Sequence, residues 1–118
     1  MLYDLTMLRT LSGNDETFII DMLQTFKKTN PPIVARMEDF AAQQKHEPLG
    51  REAHKMIPGV SFLGARELEK VLVTIEENAK TGADPEKMPG LVAEVKRKVD
   101  ELIVCFEKDF KLQDNHEK

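Results

Sequence analysis

The chain has 118 residues, of which 32% are charged and 41% hydrophobic, and its formal net charge at pH 7 is −4. These values are typical of one soluble globular domain with a single core, and they exclude a disordered chain. The acidic balance, without a concentrated basic stripe, argues against nucleic-acid binding.

The sequence favours a cytoplasmic location. No apolar stretch is long enough to span a bilayer, and the N-terminus lacks the basic and apolar regions of a signal peptide. Cys105 is the single cysteine, so no disulfide can form within the chain, which fits a reducing compartment. The sequence leaves open whether the domain is a piece of a longer protein.

The first half of the chain follows a helical period. Asp4 can cap a short first helix that carries Leu5, Leu8 and Leu11 and ends at Gly13. Asn14 or Asp15 caps a second helix. The apolar face of this helix consists of Phe18, Ile19, Met22, Leu23 and Phe26. Pro31-Pro32 interrupts it, so either a new helix or a kinked continuation follows. The next apolar face consists of Ile33, Met37, Phe40 and Ala41.

The second half predicts three further helices. Pro48 opens the first, and Gly64 closes or bends it; the next stops at Thr81-Gly82, and the last starts near Asp84-Pro85. The buried face of the middle one consists of Leu68, Val71, Leu72 and Ile75. The seam of the last consists of Met88, Val92, Val95, Val99, Leu102 and Phe106. The expected fold is all-α, an antiparallel four-helix bundle with an additional short N-terminal helix over residues 1–112, followed by a polar tail at 113–118.

His54 lies on the wrong side of its helix for a core residue. The apolar stripe of that helix consists of Leu49, Ala53, Met56, Val60 and Leu63. At about 100° per residue the stripe is roughly 80° wide, and His54 lies about 140° from its centre. Small residues surround the imidazole, which is therefore expected to point into solvent where a partner can approach it.

Apart from His54, the sequence offers few candidates for a catalytic or metal-binding residue. The sequence has no phosphate-binding glycine loop and no paired metal ligands, and the spacing of His46, His54 and His116 does not match a metal site. We therefore expect no metal. Cys105 is interpreted as a small core filler. Glu76-Glu77 and the run Lys96-Arg97-Lys98 are interpreted as solvated faces.

A particular motif surrounds His54. Ala53-His54-Lys55-Met56, followed by Gly64-Ala65 and then Leu68, resembles the histidine-containing phosphotransfer (HPt) domain of bacterial two-component phosphorelays. The resemblance extends over nearly the whole chain: the opening helix and the second helix are similar to those of the family, and the segment through Glu76 follows the usual order. It implies the bundle already expected from periodicity.

The resemblance also implies a function. His54 would accept a phosphoryl group from a receiver-domain aspartate and pass it to another receiver aspartate, without autonomous catalysis. Its partners would be receiver domains, either as separate proteins or within one longer hybrid sensor histidine kinase chain. The domain itself is expected to be a monomer without cofactors, since Mg²⁺ belongs to the receiver. The expected partner-binding residues are Arg51, Lys55, Ile57, Pro58, Ser61 and Phe62.

Two positions depart from the family pattern. Ile57 and Pro58 replace the lysine and glycine that usually stand three and four residues after the histidine. Losing the lysine removes a positive charge near the phosphoryl group, for which Arg51 or Lys55 could compensate. Pro58 removes one helical hydrogen bond and predicts a kink there, with no chain reversal.

Two alternatives to phosphotransfer stay open. A helical interaction module could dock receiver domains without phosphorylation, in which case His54 would be an ordinary surface histidine. A metal or cofactor bundle would need ligands that face inward, and the helical seams offer apolar residues instead. His54 discriminates between phosphotransfer and docking alone, because phosphotransfer needs this histidine chemically and docking does not.

Overall fold

Five α-helices and one 3-10 turn make up the secondary structure of residues 2–112, the part of the chain that the computed structural model describes. The helices are Thr6–Ser12 (α1), Glu16–Ala42 (α2), His46–Phe62 (α3), Arg66–Thr81 (α4) and Met88–Phe110 (α5), and the 3-10 turn is Pro85–Lys87. The all-α prediction is confirmed. The polar tail expected at 113–118 lies outside the described residues.

Helices α2 to α5 form a closed ring of contacts. Helix α3 packs most extensively on α4, α2 packs on both α5 and α3, and α4 packs on α5. Short α1 packs on α2, which agrees with the expected four-helix bundle plus one N-terminal helix. None of the helices within residues 2–112 combines the length and apolar character needed to cross a membrane.

The core consists of the seams that the periodicity predicts. All six seam residues of α5 and all four on α4 are buried. The largest fully buried side chains are Phe106, Ile19, Leu23, Met37, Leu49, Leu68, Leu72, Ile75, Met88, Leu102, Val60 and Val92. Phe106 also makes edge-to-face contacts with Tyr3 and Phe26, which tie the N-terminal segment and α2 to α5.

Helix α2 continues through Pro31-Pro32. Of the two alternatives that the sequence left open there, a new helix or a continuation, the structure shows the continuation. The two prolines are exposed, whereas Asn30 and Val34 on either side of them are buried. Asn30 Nδ2 donates to the carbonyl of Phe26 at 3.1 Å, a side-chain hydrogen bond within the turn that precedes the prolines. Packing of this continuous buried stripe outweighs the two hydrogen bonds that the prolines cannot make.

The N-terminal segment is seated on the turn between α3 and α4. Gly64 has φ +64°, and a side chain there would collide with the backbone of Asp4, whose N–H donates to the Leu63 carbonyl at 3.0 Å. Nearby, Tyr3 donates its hydroxyl to Asp109 on α5. Burial, followed by this hydrogen bond, raises the pKa of Tyr3 to about 12.

Candidate functional site

His54 lies in the middle of α3 with its side chain 70% exposed. The five residues of the predicted apolar stripe of this helix are all buried. The opposite orientation of His54 therefore follows from the helical period, and the predicted exposure of the imidazole is confirmed.

Glu76 on α4 binds the imidazole from the side. His54 Nδ1 and Glu76 Oε2 are 2.7 Å apart, and the Glu76 side chain is only 19% exposed. An ionised carboxylate can only accept, so Nδ1 carries the proton of this hydrogen bond. In the neutral ring the lone pair then lies on Nε2, the nitrogen that faces away from Glu76. The structure thus holds an exposed imidazole in the tautomer suited to nucleophilic attack by Nε2.

This contact corrects the interpretation of Glu76-Glu77 as a solvated face. Glu77 is exposed, but Glu76 turns toward α3. Sequence reasoning missed Glu76 because its partner lies 22 residues away on another helix, beyond the reach of local spacing. The available signal was the helical phase, since Glu76 directly follows the buried Ile75 at the edge of the apolar face.

Three basic residues border an open depression of about 850 Å³ around His54: Arg51, Lys55 and Lys80. Lys55 Nζ is 3.1 Å from Glu52, which is buried and also binds Arg36 on α2. Arg51 lies 3.5 Å from exposed Glu47. Lys80 Nζ is 3.8 Å from the same Glu76 oxygen that binds His54, so a cation not anticipated from the sequence stands beside the imidazole.

The residues expected to bind a partner share the His54 side of α3 to different degrees. Arg51, Lys55, Pro58 and Phe62 are exposed. Two others, Ile57 and Ser61, are half-buried, and Ile57 packs against the core. Helix α3 runs through Pro58 to Phe62, so the helix does not end at the proline, as expected. It begins at His46, two residues before the predicted start, with Pro48 in its first turn.

An apolar groove of about 340 Å³ continues this surface across the ends of α1 and α2. Leu11, Phe18 and Phe62 line it and are all exposed. Phe18 was expected in the core, but it is 43% exposed, because Ile19 and Leu23 take the buried face of α2 and leave it at the edge. Three large exposed apolar side chains thus lie together beside the C-terminal end of α3.

His46 lies outside this site. His46 stands at the first position of α3, two turns before His54, and His116 lies outside the described residues. Within residues 2–112 no three His, Cys, Asp or Glu side chains are grouped as a metal site requires. Cys105 is half-buried on α5.

The model of one protein family, the Hpt domain, matches residues 21–103. This match covers most of the chain, and the chain therefore belongs to the Hpt family of histidine phosphotransfer modules, which act in phosphorelay signalling and interact with receiver domains. Comparison with the curated proteins gave no match, and neither did comparison with the solved structures.

Proposed function

We propose that this chain is a phosphorelay intermediate in which His54 accepts a phosphoryl group from one receiver aspartate and donates it to another. The observation that carries the proposal is the exposed imidazole whose Nδ1 is bound by Glu76 at 2.7 Å, leaving Nε2 directed toward an approaching partner. His54 is also the histidine of the family motif Ala53-His54-Lys55-Met56.

The transfer step follows from this geometry. The Nε2 lone pair of His54 forms the bond to phosphorus, the bond between phosphorus and the receiver aspartate oxygen breaks, and its electron pair stays on that carboxylate. The ring keeps its Nδ1 proton and gains positive charge, which the adjacent Glu76 carboxylate stabilises. Donation to the next receiver is the reverse. The receiver supplies Mg²⁺ and the acidic pocket, so the chain itself needs no cofactor.

A receiver would dock on the exposed side of α3 and on the apolar groove formed by Leu11, Phe18 and Phe62. Phe62 lies about 12 Å along the helix from His54. A standard interface buries about 800 Å² per partner, a disc of roughly 16 Å radius, which covers both features. Arg51, Lys55, Ile57, Pro58 and Ser61 lie between them or beside His54 and complete the proposed contact.

Two basic residues at the depression can offset the charge of the incoming phosphoryl group in place of the lysine that the motif lacks. Lys55 is held by Glu52, which leaves Arg51 and Lys80 with weaker ion pairs at 3.5 and 3.8 Å. Arg51 and Lys80 are both largely exposed, and ion pairs of this length made by exposed cations contribute little to stability. Both side chains can therefore reorient toward a bound phosphoryl group at small cost.

The test is transfer of labelled phosphoryl groups from a phosphorylated receiver domain in the presence of Mg²⁺. The parent chain and the matched control His46→Gln should become labelled, and His54→Gln should not. His54→Gln should still bind the receiver, because the docking surface is unchanged. Equal labelling of His54→Gln would overturn the proposal. Binding without any labelling of the parent would leave a module that only docks receivers.

A further inference from the structure

We propose that Gly50 is a positioning residue: the close approach of α3 and α4 at Gly50 and Ala79 sets the distance over which Glu76 holds His54. This inference rests on the proposed function, since it concerns the reactivity of the same imidazole. It adds a residue pair whose proposed effect on His54 passes through Glu76.

The contact between Gly50 and Ala79 leaves no space for a second methyl group. A Cβ at Gly50 would lie 2.5 Å from the Ala79 Cβ and 3.9 Å from both the Cα and the carbonyl oxygen of Glu76. Carbon atoms in contact normally stand about 3.5–4.0 Å apart. Gly50 is buried in the interior of α3 and its φ is not positive, so the position requires space and not conformational freedom. Helix propensity would favour alanine here.

The contact between Gly50 and Ala79 lies next to the pair His54 and Glu76 along the same two helices. Gly50 precedes His54 by one helical turn on α3, and Ala79 follows Glu76 by nearly one turn on α4. The two pairs are therefore neighbours along one helix interface, and this interface is the most extensive in the bundle. A displacement of the helices at Gly50 is transmitted to the His54–Glu76 pair, because helices move as stiff bodies over one turn.

The hydrogen bond between His54 and Glu76 cannot absorb the separation of α3 and α4 that a methyl group at Gly50 would cause. Relieving the clash of an added methyl group requires a separation of about 1 Å. The same shift would stretch the 2.7 Å distance between Nδ1 and Oε2 past the range of a hydrogen bond. The ring would then lose its fixed Nδ1–H tautomer, and fewer molecules would present a lone pair on Nε2.

The experiment compares Gly50→Ala with three further variants in the full chain. The Gly50→Ala/Ala79→Gly variant moves the methyl group from α4 to α3 and restores the space. Ala79→Val enlarges the contact from the α4 side, and Gly90→Ala is the matched control, because a Cβ at this helical glycine meets nothing within 4 Å. Nitrogen-15 NMR of the neutral His54 ring reports the tautomer, thermal unfolding reports the fold, and labelled phosphoryl transfer from a receiver reports reactivity.

We expect Gly50→Ala to shift the His54 ring from the Nδ1–H toward the Nε2–H tautomer and to slow labelling by roughly tenfold to a hundredfold, the cost of a misplacement of about 1 Å. The double variant should regain the parental tautomer and rate, which loss of packing alone would not explain. Gly90→Ala should match the parent.

Three outcomes would overturn the inference. The first is a folded Gly50→Ala that keeps the parental tautomer and rate, and the second is a double variant that fails to regain them. If Gly50→Ala does not fold, Ala79→Val decides, and an unchanged tautomer in that variant would contradict the positioning role. A different result would refute the proposed function: the parent chain itself would accept no label from the receiver. In that case the tautomer measurement would still test whether Gly50 positions Glu76 against His54.

Discussion

Replacing Glu76 by alanine removes the carboxylate that accepts the Nδ1–H of His54, and it should slow phosphoryl transfer while leaving the bundle nearly intact. The perturbation is local, because within residues 2–112 the Glu76 carboxylate makes one hydrogen bond, to His54, and one ion pair, with Lys80 at 3.8 Å. Both partners are largely exposed, so losing the two contacts costs about 1 kcal/mol of unfolding free energy.

The effect on the reaction is larger than the effect on stability. During attack the ring gains positive charge at about 4 Å from the Glu76 carboxylate. This interaction is worth about 1–2 kcal/mol at a solvent-exposed site, where the effective dielectric constant approaches that of water. A loss of this size slows transfer roughly 5- to 30-fold. Glu76→Gln keeps an acceptor oxygen for Nδ1–H but lacks the charge, so its rate should be intermediate.

The assay is the initial rate of labelling from a phosphorylated receiver, with Glu77→Ala as the matched control on the same helix. Glu77 is exposed, and within residues 2–112 its side chain makes no hydrogen bond or ion pair. Circular dichroism melting of each variant separates altered reactivity from altered folding. Parental rates in folded Glu76→Ala would refute the argument that the carboxylate stabilises the charged ring.

Three further predictions test the rest of the surface and one packing contact. Ile57→Lys restores the family cation and should lengthen the half-life of the phosphohistidine several-fold in a hydrolysis time course, whereas Ile57→Gln should not. Leu11→Asp should weaken receiver binding by at least roughly tenfold in a calorimetric titration, because it places a charge in the apolar groove. The control Val104→Asp should not, although Val104 is 61% exposed and thus similar to Leu11 at 67%. Tyr3, the only tyrosine, should ionise near pH 12 in the folded chain and near pH 10 in urea, as followed by its ultraviolet absorbance. A folded midpoint near pH 10 would contradict the burial of Tyr3 and its contact with Asp109. Because the folded pKa is raised, the Tyr3 contribution to stability is complete below about pH 10 and is lost as the pH rises toward 12, and Tyr3→Phe should remove this dependence.

The bundle could be predicted because the spacing of apolar residues in each helix shows which face of that helix is buried. The seam of α5 repeats at steps of four and three, and the stripe on α3 leaves His54 on the opposite side. Such patterns need only the period of one helix. The sequence left open whether a helix continues through Pro31-Pro32, because the buried stripe from Phe26 to Met37 that keeps α2 continuous depends on packing against other helices.

The exposed histidine could be found from the sequence, but the residues that act on it could not. Glu76, Lys80 and Ala79 approach from α4, and the distance between two helices is set by side chains that are remote in the chain. The sequence does not show that α4 approaches α3 so closely at Gly50 that a Cβ there would lie 2.5 Å from the Ala79 Cβ. The edge position of Phe18 likewise depends on which face of α2 packs against α3 and α5, and that face is the one with Ile19 and Leu23.

The most direct measurement is the site of phosphorylation after transfer from a receiver, resolved to the atom by phosphorus-31 and nitrogen-15 NMR and assigned to a residue by peptide mass spectrometry. Our account places a single phosphoryl group on Nε2 of His54, because Glu76 occupies Nδ1. A phosphoryl group on Nδ1 of His54, or on any other residue, would contradict it.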